Sequence, residues 1–220
     1  MAGLRSGVKS WGTYVVTDAT LSRGRSHVEV AREAIGGGAD VVQLREKDAP
    51  SRALYEIAEK IRRLTRDAGV PFIVNDRVDI ALAAGADGVH VGQDDLPASE
   101  ARRLIGPDRV LGVSAASLEE ALAAERDGAD YIGFGPVFEA RGTKPDSGPP
   151  RGLELLADVC ERCAVAVIAI GGINHGNVDR VIAAGAAGVA VISGVVGARD
   201  IAAAVRDLKE RIRQARGSTP

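Results

Sequence analysis

Gln43, Arg45 and Lys47 stand at alternate positions directly after the apolar pair Val41-Val42. Side chains alternate along an extended chain, so these three share one side while Leu44 points the other way. A guanidinium beside an ammonium repels unless an anion lies between them, and two sources of anion fit. One is a phosphorylated ligand, gripped by the forked donors of Arg45 and the point charge of Lys47. The other is a salt bridge to Glu46 or Asp48. Two further polar clusters follow apolar runs: Asn75-Asp76-Arg77 and Gln93-Asp94-Asp95. Carboxylates beside a bound phosphate require a cation, and Mg²⁺ takes one or two carboxylates, several waters and phosphate oxygens. Asp76 and Asp95 are the expected ligands. Asp94 competes for the second place, and capping of the next helix is the alternative role for Asp76. Gly171-Gly172 and Ser193-Gly194 end two later apolar runs, each ahead of helix-forming sequence. Glycine lets an anion approach bare backbone N–H groups, so this pair of segments suits a phosphate. His175 reads as a solvated residue at a helix start; His90 suits either a packed imidazole or a ligand.

The elements that would position these residues follow from a recurring unit. Gly38-Ala39-Asp40, Gly85-Ala86-Asp87, Gly128-Ala129-Asp130 and Gly185-Ala186-Ala187 each follow a helix-favouring stretch and precede an apolar run. Glycine past a helix end supplies a left-handed cap, and the apolar run then reads as a strand buried on both faces. The spacing predicts strands at 12–17, 40–45, 71–75, 87–91, 109–113, 130–134, 165–170 and 187–192. Helices are predicted at 26–36, 51–68, 77–84, 97–105, 117–127, 151–162, 175–184 and 198–214. Eight strand–helix units point to a closed (β/α)₈ barrel, the TIM barrel, whose ligands bind at the carboxyl ends of the strands. A doubly wound open sheet would usually carry a Gly-rich loop after its first strand, and Thr17-Asp18-Ala19-Thr20 is not one. Residues 135–150, rich in Pro and Gly, form the one long loop, of the kind that is often functional.

At 220 residues one barrel domain accounts for the chain, with a short extension at 1–11 and a tail at 215–220. Basic and acidic residues nearly balance, 28 against 30, and aromatics make up 3%, which argues against a nucleic-acid surface. No run is long and apolar enough for a bilayer, and no leader-like segment opens the chain; a soluble, cytoplasmic protein acting on small molecules is the expectation. Cys160 and Cys163 read as structural thiols near a helix end. Neither a Ser-His-Asp arrangement nor a nucleophile elbow is legible. Basic groups, a magnesium site and two anion pockets without a nucleophile suit departure of a diphosphate.

Together these segments resemble the thiamine phosphate synthase family. The resemblance rests on Gln43-Leu44-Arg45-Glu46-Lys47, Asn75-Asp76-Arg77-Val78-Asp79, Gly88 to Pro97, Gly112-Val113-Ser114, Thr143-Lys144-Pro145-Asp146 and Ala169 to Ile173, in family order across about residues 12 to 205. It implies a transferase that joins 4-amino-2-methyl-5-hydroxymethylpyrimidine diphosphate to 4-methyl-5-(2-phosphoethyl)thiazole, releasing diphosphate. By that resemblance Gln43, Arg45, Lys47, Asn75, Ser114 and Lys144 hold the pyrimidine diphosphate, with Arg45, Lys47, Ser114 and Lys144 as catalytic groups. Asp76 and Asp95 bind Mg²⁺, while Gly172, Ile192 and Ser193 hold the thiazole phosphate. The implied mechanism is dissociative: diphosphate leaves, and the thiazole nitrogen attacks the resulting methylene cation. One stretch departs from the family's Thr-x-Thr-Lys: Arg141-Gly142-Thr143-Lys144 keeps only the second threonine, and Arg141 is expected to serve as a charged donor beside Thr143. A thiazole tautomerase and a non-catalytic phospholigand-binding barrel are the competing readings. A homo-oligomer is compatible with either.

Overall fold

Each Gly-Ala-Asp unit does two jobs, and the second was not legible in the sequence. The glycines at 38, 85, 128 and 185 all take positive φ, ending a helix as expected. The aspartate then reaches across to the foot of the preceding strand. Asp40 Oδ2 accepts from the amides of Gly12 and Thr13 at 3.0 and 2.8 Å. Asp87 Oδ2 accepts from Phe72 N at 2.9 Å and Arg62 at 2.7 Å. Asp130 Oδ2 accepts from Leu111 N at 2.8 Å and Arg102 at 2.5 Å. The fourth copy carries Ala187 instead. There Arg216, near the end of the chain, donates to the Ala187 carbonyl and reaches the Trp11 carbonyl at 3.5 Å.

The computed structural model describes residues 7–139 and 148–217. Eight parallel strands close into a barrel in chain order: β1 (Thr13–Val16), β2 (Val41–Leu44), β3 (Phe72–Asn75), β4 (Gly88–Val91), β5 (Val110–Ala115), β6 (Tyr131–Phe134), β7 (Ala166–Ile170) and β8 (Gly188–Val191). β8 pairs with β1 to complete the ring, Tyr14 lying opposite Ala190. The (β/α)₈ expectation therefore holds. Around the ring lie α1 (His27–Gly36), α2 (Ser51–Ala68), α3 (Val78–Ala83), α4 (Ala98–Ile105), α5 (Leu118–Arg126), α6 (Gly152–Arg162), α7 (Val178–Ala183), α8 (Ser193–Val196) and α9 (Ile201–Gly217). Among the described residues no helix is long and apolar enough to cross a membrane.

Local chemistry explains where boundaries differ from expectation. α1 opens on a Ser26–Glu29 capping box and α5 on Ser117, as their residue types predict. α7 starts three residues later than the spacing suggests, because Asn177 Oδ1 accepts from Asn174 N at 2.8 Å and closes a turn over 174–177. The last helix starts three residues later than the predicted 198, and a separate turn that the spacing does not predict precedes it. A single turn, α8, follows β8, and α9 begins only at Ile201, behind Asp200, whose carboxylate accepts from Ala203 N. The expected extension at 1–11 contributes a short 3₁₀ turn (Val8–Ser10), of which Val8 is buried in the barrel interior, and Trp11, which meets Tyr14 and Tyr131 there.

Period-2 alternation sorts the strand residues into two cores. Val15, Val42, Leu44, Val74 and Val89 face the helices, while Tyr14, Val16, Val41, Ile73, Tyr131 and Ile168 fill the interior. Gln43, His90 and Ser114 lie in the interior register toward the carboxyl ends and line its open mouth. Chemistry and folding thus occupy opposite ends. Asp130→Ala, at the foot, is expected to leave Leu111 N without this acceptor and Arg102 without its carboxylate, though Arg102 keeps the Gly106, Arg109 and Gly128 carbonyls, and to cost about 1–3 kcal/mol. Urea unfolding checks this; an unchanged midpoint would show that the rung contributes nothing.

Candidate active site

The strand ends deliver nearly all the described candidates to one mouth. Gln43, Arg45, Lys47, Asn75, Asp76, Asp94, Asp95, His90 and Ser114 line a cavity of about 220 Å³. A second cavity of about 190 Å³ is lined by Gly171, Gly172, Ile192 and Ser193. The two share Gln93, Ser114, Gly133, Ile170, Ala190 and Ile192, so they are halves of one depression.

In the first half, the basic residues find partners other than the neighbouring acids considered from sequence. Arg45 Nη1 donates to Asp18 Oδ2 at 3.1 Å, and Lys47 Nζ lies 3.3 Å from Asp76 Oδ2. Glu46 instead pairs with His27 Nε2 at 3.0 Å, and the Asp48 amide beside it holds its carboxyl below the usual range. His27 Nδ1 lies 2.8 Å from the Thr17 hydroxyl, whose oxygen also accepts from Arg45 N at 3.3 Å. This buried frame fixes the backbone carrying Arg45. The guanidinium is only partly used: its Nε is buried with no partner among the described residues. A buried N–H of a cation without an acceptor is costly, and a ligand oxygen would satisfy it.

Asp76 sits at φ 62°, a left-handed conformation that Asp tolerates better than most residues. Its amide donates to His90 O at 2.8 Å, which holds the turn. It does not cap α3, where no side-chain cap bond forms. Burial raises its carboxyl above the ordinary range, and the Asp95 carboxyl within hydrogen-bonding reach raises it further, against an opposing pull from Lys47. Asp95 is aimed by its own turn, Oδ2 accepting from Gly92 N at 2.7 Å, while Asp94 is exposed at the rim. Two carboxylates pressed together behind a phosphate-sized cavity fit a hard divalent cation. Among the described residues no group of three or more His, Cys, Asp or Glu forms a metal cage, so waters and ligand oxygens would complete the sphere.

The second half is built by glycine. Gly171 and Gly172 have φ of 95° and 67°. A Cβ on Gly171 would lie 2.5 Å from Pro136 Cα, and one on Gly172 would lie 2.7 Å from Glu139 O. No side chain fits, and the backbone itself forms the wall. Ser193 opens α8, whose first amides have no acceptor within the helix. His175 is half-buried in the turn before α7 and lines neither cavity. Arg141, Thr143 and Lys144 lie outside the described residues. Burial pushes the Cys160 thiol up to about 12 and raises Cys163 as well, so neither is a ready nucleophile.

Three participants escaped the sequence reading. Asp18, buried at the end of β1, orients Arg45; its place right after a strand was the available signal. Tyr14 and Tyr131 meet inside the barrel, hydroxyl to hydroxyl at 2.8 Å, and no sequence signal joins them across 117 residues.

Comparison with known proteins points to one family. Residues 13–195 match the family model described as thiamine monophosphate synthase. The chain is 58% identical over 202 residues to the thiamine-phosphate synthase of Chloroflexus aurantiacus, covering 92% of this chain and 93% of that one. It is 55% identical over 207 residues to the thiamine-phosphate synthase of Moorella thermoacetica, covering 94% and 98%. Among solved structures, a thiamine phosphate pyrophosphorylase from Pyrococcus furiosus superposes with a TM-score of 0.87 at 43% identity, covering 96% and 98%.

Proposed function

This chain belongs to the thiamine monophosphate synthase family, and from that premise we propose how its mouth makes thiamine phosphate. The substrates are 4-amino-2-methyl-5-hydroxymethylpyrimidine diphosphate and 4-methyl-5-(2-phosphoethyl)thiazole. The observation that carries the reading is the adjacency of a cationic, carboxylate-bearing cavity and a glycine-walled one.

Gln43, Asn75 and Ser114 hold the pyrimidine, while Arg45 and Lys47 take the diphosphate oxygens, the free Nε of Arg45 among the donors. Lys144, from the loop after β6, joins them. Asp76 and Asp95 hold Mg²⁺, which neutralises charge on the diphosphate when bound. Gly172, Ile192 and Ser193 present backbone amides and a hydroxyl to the thiazole phosphate, and Arg141 and Thr143 are assigned to the same substrate.

The C–O bond breaks with its electron pair leaving on the diphosphate, where Arg45 and Lys47 stabilise the developing charge. The thiazole nitrogen then forms the new C–N bond with its lone pair. That nitrogen has no proton to lose, so the chain needs neither a general base nor a nucleophile. The raised Cys160 and Cys163 thiols are consistent with that.

The test is a coupling assay on the purified protein. Diphosphate release should require both substrates and Mg²⁺ and should match thiamine phosphate formed, one for one. Magnesium-independent isomerisation of the thiazole without coupling would instead favour a tautomerase. Binding without turnover would leave a ligand sensor.

A further inference from the structure

Five side chains from five different strands form one continuous line of hydrogen bonds across the barrel interior. Gln43 Nε2 donates to the Tyr14 hydroxyl at 2.8 Å. The Tyr14 and Tyr131 hydroxyls are 2.8 Å apart, Tyr131 lies 2.9 Å from His90 Nδ1, and His90 Nε2 lies 2.9 Å from Ser114 Oγ. Both ends of the line, Gln43 and Ser114, open on the same cavity.

The direction of the line follows from counting protons. Burial raises the pKa of both tyrosine hydroxyls, so each keeps its proton. Tyr14 faces an amide NH₂, which cannot accept, so its proton goes to Tyr131. Tyr131 then spends its own proton on His90 Nδ1. An accepting Nδ1 leaves the imidazole proton on Nε2, which donates to Ser114 Oγ. The Ser114 proton is thereby released toward the cavity. At the far end, the Gln43 NH₂ is engaged and its carbonyl oxygen is left to accept.

Space has been reserved for this line. A Cβ on Gly112 would collide with the Tyr131 ring and hydroxyl, and one on Gly133 would come within 2.8 Å of His90 Cε1.

We propose that Tyr14, Tyr131 and His90 are positioning residues that set the hydrogen-bond polarity of the pyrimidine site, making Gln43 an acceptor and Ser114 a donor. This rests on the proposed substrate and deepens it. An aminopyrimidine offers an amine N–H to Gln43 Oε1 and a ring nitrogen to the Ser114 hydroxyl. The corresponding oxo-pyrimidine carries a carbonyl and a ring N–H in those places, the reverse on both counts. Accepting it would require every proton in the line to move and the Gln43 amide to turn over. The site therefore selects the amine by the state of buried groups that never touch the ligand.

Two measurements test this. In the ligand-free protein, ¹⁵N NMR of the three histidines, with His90 identified by loss of its signals in His90→Gln, should show His90 protonated on Nε2 and bare on Nδ1. Protonation on Nδ1 would overturn the proposal without any activity being measured. In Tyr131→Phe, His90 loses the donor that fixes it and should populate both tautomers. The preference for the amino over the oxo pyrimidine diphosphate should fall about tenfold, roughly one hydrogen bond's worth. The KM for the thiazole phosphate should stay unchanged. A folded variant with full preference would show that the tyrosines only fill space. Should Tyr131→Phe not fold, Tyr14→Phe frees the Gln43 end instead: Tyr131 still holds the His90 tautomer, while the preference for the amino pyrimidine should fall, and a folded Tyr14→Phe with full preference would overturn the proposal. If the parent turns over neither pyrimidine, the substrate assignment fails while the tautomer result stands on its own.

Discussion

Asp95→Ala is expected to lower kcat by a factor on the order of 10²–10³, the usual scale for removing one preorganised electrostatic contributor. Asp94→Ala should change it by no more than about threefold, in line with the near-zero worth of most exposed charges. The two aspartates are adjacent in sequence, yet only Asp95 is turned inward, by its bond from Gly92 N, to meet Asp76. A steady-state comparison at saturating Mg²⁺ decides it; the opposite ranking would mean that the rim carboxylate is the ligand. Asp76 allows a test independent of turnover. Its carboxyl is held above the ordinary value, first by burial and then by Asp95, so the native state binds this proton more tightly than the unfolded state does. Stability therefore falls as pH rises from the unfolded value through the raised native one, and the penalty persists at neutral pH. Asn tolerates the same left-handed φ and carries no charge. Asp76→Asn should thus be inactive yet melt above the parent at pH 7 in EDTA. Mg²⁺ should raise the parent's Tm and leave the variant's unmoved. A variant that melts lower in EDTA would refute the carboxylate-pair account.

Arg45→Ala carries the second large effect. It is expected to cost about 10²–10³ in kcat/KM for the pyrimidine diphosphate, because a forked cation facing the departing group is lost. It also strands Asp18, which is 7% exposed and whose Oδ2 accepts from Arg45. Asp18 Oδ1 still accepts from Leu21 N, but loss of the cation beside a buried carboxylate should lower stability by about 1–3 kcal/mol. Asp18→Asn in the same chain should restore most of the stability and none of the activity. Recovery of both together would indicate that Arg45 serves only to hold β1 and β2 in place.

Why so much of the mouth could be read from sequence has a physical basis. Parallel strands covered on both sides are continuous apolar runs, so the first polar residue after each run marks the rim. Gln43, Asn75, Asp76, Ser114 and Ser193 were found in that way. What closure of the ring brings together was hidden. Tyr14 and Tyr131 are ordinary strand residues until β1 and β6 face each other across the barrel. The ion-pair partner of Arg45 is Asp18, twenty-seven positions away, rather than the adjacent acids. The aspartates of the Gly-Ala-Asp repeat carried a clear signal, recurrence, but only the three-dimensional foot of the barrel shows what the recurrence is for. The four-residue helix after β8 is too short for any periodicity to announce it.

The missing fourth aspartate has a consequence for how the molecule is completed. Three strand pairs carry their own clasp, made from residues close in the chain. The seam between β8 and β1 is closed by its own backbone ladder, to which Arg216 adds a clamp on the carbonyls of Ala187 and Trp11. Each clasp joins neighbouring strands of the chain order, whereas the seam brings residues 11–15 against 187–191, so closing the ring is the long-range step of this fold. Arg216 thus reinforces the strand pair whose members lie farthest apart in sequence.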